Sequence, residues 1–112
     1  DPIDSLQVLY NNFLTGIKNI STEIPSDIFL SQNYPNPFNP NTNLIFGIER
    51  SGFVSLKIYD ALGKEVASLV NESLTAGSYE ITWFADSMPS GIYFYTLASS
   101  GNTVTKRMAL MK

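Results

Sequence analysis

The sequence contains no histidine and no cysteine. The first absence removes the commonest general base and the imidazole metal ligands. The second removes disulfides and thiol chemistry, and leaves any zinc site dependent on carboxylates alone, a donor set zinc rarely takes. No serine lies in a nucleophile-elbow pattern, and no glycine run forms a phosphate cradle. Only 15% of the residues are charged, and the net charge is −3. That balance argues against a nucleic-acid partner. No apolar run reaches the length of a membrane-spanning helix. The chain does not begin with methionine and opens on no signal-peptide pattern. The expectation is therefore the tail of a longer protein with any signal peptide upstream, acting without catalysis, cofactor or metal.

What is present suits one small β domain. The 112 residues are 44% hydrophobic, with seven Phe, six Tyr and one Trp to fill a core. The stretch Gln32-Asn33-Tyr34-Pro35-Asn36-Pro37-Phe38-Asn39-Pro40 divides the chain. Three prolines, each preceded by Tyr or Asn, exclude a helix or a central strand. The Asn side chains can bond nearby backbone groups, as turns require. The expectation is a stiff, ordered entry segment that Tyr34 and Phe38 pin to the downstream strands.

Before this segment, Asp1 to about Phe13 reads as a short amphipathic helix or the frayed end of an upstream domain. Gly16 breaks it, and Lys18 to Asp27 has linker composition. The division places residues 1–27 in an upstream cargo region and linker, and residues 28–112 in the domain. Within the domain, Phe29-Leu30-Ser31, Asn43 to Ile48, Phe53 to Tyr59, Glu65 to Asn71, Ser78 to Phe84, Ile92 to Ala98 and Thr103 to Met111 read as strands. Apolar residues alternate along most of them, and turn signals separate them about every ten residues. Ile92 to Ala98 is apolar or aromatic on both faces, as a central strand would be. About seven short strands in this pattern predict an all-β, antiparallel β-sandwich of Greek-key type.

The remaining candidates have plain structural readings. Asp60 and Asp86 lie at turns and read as backbone caps. Asn36, Asn39 and Asn41 offer oxygens but read as turn builders rather than calcium ligands. Trp83 with nearby tyrosines could form a sugar platform, yet on an inward face it reads as core. The charges are asymmetric. Residues 103–112 carry Lys106, Arg107 and Lys112 and no acid, whereas residues 1–28 hold four acids and one base. The basic end reads either as an edge strand protected by charge or as a docking tail for an acidic or strand-accepting receptor.

Taken in order, the blocks resemble a known family. Leu30-Ser-Gln-Asn-Tyr-Pro-Asn-Pro-Phe-Asn-Pro40 resembles the opening signature of the type A C-terminal sorting domain of the type IX (Por) secretion system. Val54-Ser-Leu-Lys-Ile-Tyr-Asp60 and Leu62-Gly-Lys-Glu-Val66 come next in the family's order. Then come Ala76-Gly-Ser-Tyr79, Trp83, Ser90-Gly-Ile-Tyr-Phe-Tyr-Thr-Leu97 and Lys106-Arg-Met-Ala-Leu-Met-Lys112. The resemblance covers about Ile24 to Lys112.

It implies an immunoglobulin-like sandwich that directs a cargo in the same chain through the periplasm and the outer-membrane translocon, to the cell surface or the medium. It implies cleavage by a gingipain-like sortase, followed by surface attachment. Translocon recognition maps to Lys106, Arg107, Met108, Leu110 and Lys112. Family turns map to Gly63, Lys64, Ser90 and Gly91, and the entry segment to Asn33, Tyr34, Pro35, Asn36, Pro37 and Phe38. Cleavage maps to the linker Ser21, Thr22, Glu23, Ile24, Pro25 and Ser26. Two alternatives stand beside this reading. One is a structural module similar to that of flagellar hook-capping proteins. The other is a carbohydrate-binding or adhesion domain using exposed tyrosines such as Tyr59 or Tyr93.

Overall fold

The structure, a computed structural model, describes residues 17–112. The amphipathic segment expected over residues 1–13 lies outside them. The described residues form eight strands and no helix: β1 Ile17–Ser21, β2 Phe29–Leu30, β3 Asn41–Ile48, β4 Gly52–Asp60, β5 Glu65–Leu74, β6 Gly77–Phe84, β7 Gly91–Ser99 and β8 Asn102–Leu110. They make two four-stranded sheets, ordered β1-β6-β3-β2 and β5-β4-β7-β8, and every named strand pair is antiparallel. This is an immunoglobulin-like sandwich.

Alternation builds the core. Leu44, Phe46 and Ile48 on β3 and Tyr79, Ile81 and Trp83 on β6 face inward from one sheet. Val54, Leu56 and Ile58 on β4 and Tyr93, Tyr95 and Leu97 on β7 face inward from the other. Each buried side chain of this size removes apolar surface worth about 1.5–3 kcal/mol. Trp83 is only 4% exposed. Its ring meets Phe38 at 5.7 Å and Tyr93 edge-on at 5.4 Å, which makes it a core residue and not a sugar platform. Asp60 does cap its turn, its Oδ1 accepting the N–H groups of Leu62 and Lys64. The β4–β5 turn closes through Gly63 at φ +87°, a conformation that favours glycine.

Two expectations give way. Lys18 to Ser21, read as linker, belongs to β1, which pairs with β6. As an edge strand it buries only Ile17, while Lys18 and Asn19 face solvent, so its composition matches that of a linker. This strand raises the count from about seven to eight. Tyr34, expected to pin the entry segment, is 78% exposed. It pairs with Asn43 through its backbone alone, Tyr34 N–H to Asn43 O at 3.0 Å and Asn43 N–H to Tyr34 O at 2.8 Å. Phe38 does the pinning, at 1% exposure.

Candidate functional site at the terminal strand

Strand β8 is the outer strand of its sheet, paired on one side with β7. Its even-numbered residues point toward the core. Met108 and Leu110 are each 1% exposed, so their side chains are closed to any partner of the folded domain. Lys106 lies on the same face, opposite Tyr95, where it is half-buried, and Arg107 projects from the other face into solvent. A flat surface cannot meet both cations, but a partner approaching along the strand edge can. Among the described residues neither is in an ion pair. Lys57–Glu65 is the one salt bridge among the described residues, at 3.2 Å. Lys112 is held at two points, with its N–H donating to Ser90 Oγ at 3.0 Å and its ammonium to the Asp86 carbonyl at 2.5 Å.

The entry segment clasps half of the β8 edge. The Gln32 amide donates to the Arg107 carbonyl at 2.8 Å, and Asn36 Oδ1 accepts from Ala109 N–H at 3.0 Å. Phe38 completes the clasp in a parallel bridge: its N–H donates to the Ala109 carbonyl at 3.0 Å, and its carbonyl accepts from Met111 N–H at 2.9 Å. These bonds show that the odd-numbered residues of β8 turn their backbone groups outward. The outward groups of Thr103 and Thr105, and the N–H of Arg107, have no hydrogen-bond partner among the described residues. The edge is therefore closed at its C-terminal half and open at its N-terminal half, beside Lys106 and Arg107.

The clasp is held from inside by Tyr95 on the central strand β7. Its hydroxyl accepts from Asn33 N–H at 2.9 Å and donates to the Ser31 carbonyl at 2.8 Å. Asn33 is itself buried, and its amide donates to the Pro35 carbonyl and to Thr42 Oγ1, at 3.1 and 3.0 Å. Thr42 Oγ1 donates in turn to the Pro35 carbonyl at 2.9 Å. Thr42 and Tyr95 were not singled out from sequence. A tyrosine in the middle of an apolar strand was the available signal, because a buried hydroxyl needs a partner.

Burial raises the Tyr95 pKa above its ordinary value, with the Asn33 hydrogen bond opposing that rise. The Tyr93 pKa is raised by burial and by the Asp60 charge. A phenol whose folded pKa is raised binds its proton more tightly when folded, so stability falls as pH climbs past about 10. Tyr95→Phe strips the partner from the buried Asn33 N–H and from the half-buried Ser31 carbonyl. It is expected to cost about 2–4 kcal/mol at neutral pH, measured by urea unfolding, and to lessen the alkaline fall.

The remaining candidates fall in three places. The turns carrying Gly63 and Lys64 and carrying Ser90 and Gly91 come together at one end of the sandwich, around a shallow cavity of ≈ 190 Å³ between Asp60, Leu62, Ser90 and Ile92. Pro35, Asn36 and Pro37 are exposed on the clasp. Ser21 ends β1, and Thr22, Glu23, Ile24, Pro25 and Ser26 lie in the loop before β2. Of the tyrosines considered for glycan binding, Tyr93 is 3% exposed and closed to a ligand.

A family model described as the secretion system C-terminal sorting domain matches residues 32–111. No curated protein matches. Among solved structures, PorZ is similar, an essential bacterial surface component of the type-IX secretion system of Porphyromonas gingivalis. The identity is 24% and the TM-score 0.50 over 76% of this chain. The match spans only 11% of that protein, and the likeness is one of fold.

Proposed function

The chain belongs to the family of secretion-system C-terminal sorting domains, and from that premise we propose that the open half of β8 is the part the type IX outer-membrane translocon reads. The domain is a C-terminal sorting signal for a cargo that is secreted or held at the cell surface. The finer reading is β-augmentation. A translocon strand adds to the outward groups of Thr103, Thr105 and Arg107, and Lys106 and Arg107 fix its register from the two faces. The observation that carries it is the unequal edge, where the clasp closes one half and leaves the half beside the two cations unpaired.

Two further steps belong to the same reading. The cargo reaches the translocon through the periplasm. A gingipain-like sortase then cuts within residues 22–28, which are mostly exposed and make no backbone–backbone hydrogen bond among the described residues. The domain itself is not an enzyme, a reading supported by the absence of histidine and cysteine.

The test is Thr105→Pro in a secreted reporter fused to the whole 112-residue chain. Proline removes an outward N–H from an edge strand and spares the backbone bonds to β7, losing only the exposed hydroxyl contact between Thr105 and Thr96. The reporter is expected to accumulate in the periplasm while the domain stays folded. Wild-type export by the folded variant would remove the edge-addition reading. A reporter that crosses equally well without any domain would remove the sorting reading.

A further inference from the structure

Strand β1 lies upstream of the loop in which cleavage is proposed, yet it is part of the sandwich. Ile17 sits opposite Ile81, Lys18 opposite Glu80 and Asn19 opposite Tyr79, and Ile17 is 3% exposed. A bulge then pushes Ile20 outward, to 42% exposure, and brings Ser21 opposite Ser78. The bulge is shaped on both sides. The Asn19 side-chain amide donates to the carbonyls of Ser21 and Ser78, each at 3.2 Å. Gly77 has φ +151°, and a Cβ there would lie 2.7 Å from the Ser21 carbonyl oxygen. The β6 edge thus provides a place for an aliphatic side chain, a carboxamide anchor and a notch for one carbonyl. Together these suit an extended peptide.

The loop does not hold β1 in place by tension. It runs from one edge strand of the sheet to the other, across β6 and β3. Three strand spacings come to roughly 14 Å, whereas seven extended residues reach roughly 23 Å. The slack shows in a cavity of ≈ 390 Å³ between the loop and the sheet, bordered by Glu23, Ile24, Phe29 and Ser78. Pairing to β6, and not the covalent link, positions β1.

We propose that the body of the domain, residues 29–112, is a peptide-binding module whose ligand is its own upstream strand, Ile17–Ser21. The inference rests on the cleavage reading for its biological meaning. Hydrolysis in the loop leaves β1 on the cargo side, still seated on β6. Cutting and release are then separate steps. The cargo departs only when β1 is peeled off or exchanged for another strand, and the vacated β6 edge becomes a strand acceptor.

The experiment places a recognition sequence for a site-specific endoprotease within residues 22–28 of the full chain. After cutting, size exclusion is run at about 0.1 mM, below the mM effective concentration that a short link supplies. The upstream fragment is expected to co-elute with the body, and amide exchange to show Lys18–Ser21 still protected. In the cut Ile17→Asp chain the fragment is expected to separate, while fluorescence of buried Trp83 reports an intact body. Should that variant fold poorly before cutting, an excess of synthetic peptide covering residues 17–21 replaces it and is expected to displace the fragment. The proposal is overturned if the wild-type fragment separates from a folded body, if cutting unfolds the body, or if neither the variant nor the peptide releases the fragment. No translocon or sortase takes part, so failure here and failure of export remain distinct results.

Discussion

Phe38→Ala is expected to lower the unfolding free energy by about 3–5 kcal/mol. For a domain of this size that corresponds to a fall of at least roughly 12 °C in the thermal midpoint, read by circular dichroism. The ring is 1% exposed and packs on Trp83 at 5.7 Å, so its removal leaves a cavity against the largest side chain of the core. The loss should reach further than the cavity. The Phe38 backbone makes two of the bonds that close the β8 edge, to Ala109 and Met111. Without its anchor the segment should lift, and amide exchange at Ala109 and Met111 should quicken more than at β4. Tyr34→Ala supplies the contrast. Its ring is 78% exposed, and the change should stay within about 0.5 kcal/mol. A Phe38→Ala cost below about 1 kcal/mol would mean that the entry segment is an appendage and not part of the core.

The contrast between these two aromatics marks where the sequence ceased to be informative. Strands β3, β4, β6, β7 and β8 were legible because one face of each is buried along much of its length, and burial imposes period-two alternation. Strand β5 buries only Val70 and was legible from the turns that flank it. The division between core and surface in Val54 to Tyr59, or in Ser78 to Phe84, comes from that period alone. Tyr34 and Phe38 lie in a segment with no period, so residue type could not separate the ring that faces solvent from the ring that fills the core. Strand β1 was missed for a related reason. One buried isoleucine and a bulge give no alternation, and an edge strand of Lys, Asn and Ser has the composition of a linker. The clasp was hidden because its bonds join residues 62 to 75 positions apart, such as Asn33 with Tyr95 and Gln32 with Arg107. Local propensity carries no trace of such pairs. The basic terminal strand was visible as composition, but its division into buried Met108 and Leu110 and accessible Lys106 and Arg107 required the register with β7.

That division yields the second large effect. Lys106→Glu with Arg107→Glu is expected to leave the thermal midpoint nearly unchanged, because neither cation has an ionic partner to lose. Surface export of a fused reporter should nevertheless fall by about tenfold or more. Reversed charges facing an acidic receptor cost about 1.4 kcal/mol or more of binding, which is a factor of ten. Neutral Gln at both positions should give an intermediate loss, since attraction is removed without adding repulsion. Leu110→Ala separates recognition from folding in the opposite direction. Its side chain is 1% exposed and closed to a receptor, and truncation should cost about 2–5 kcal/mol of stability. Export of this variant should track the fraction folded and recover on cooling, where the charge-reversed variant should not. If the charge-reversed domain is exported at the wild-type level, the cations serve only to keep an edge strand from pairing with copies of itself, and the translocon reads backbone alone. If Leu110→Ala blocks export of a fully folded domain, the receptor must open the sandwich and take β8 as a free strand, which would move recognition from the edge to the core-facing side of the same residues.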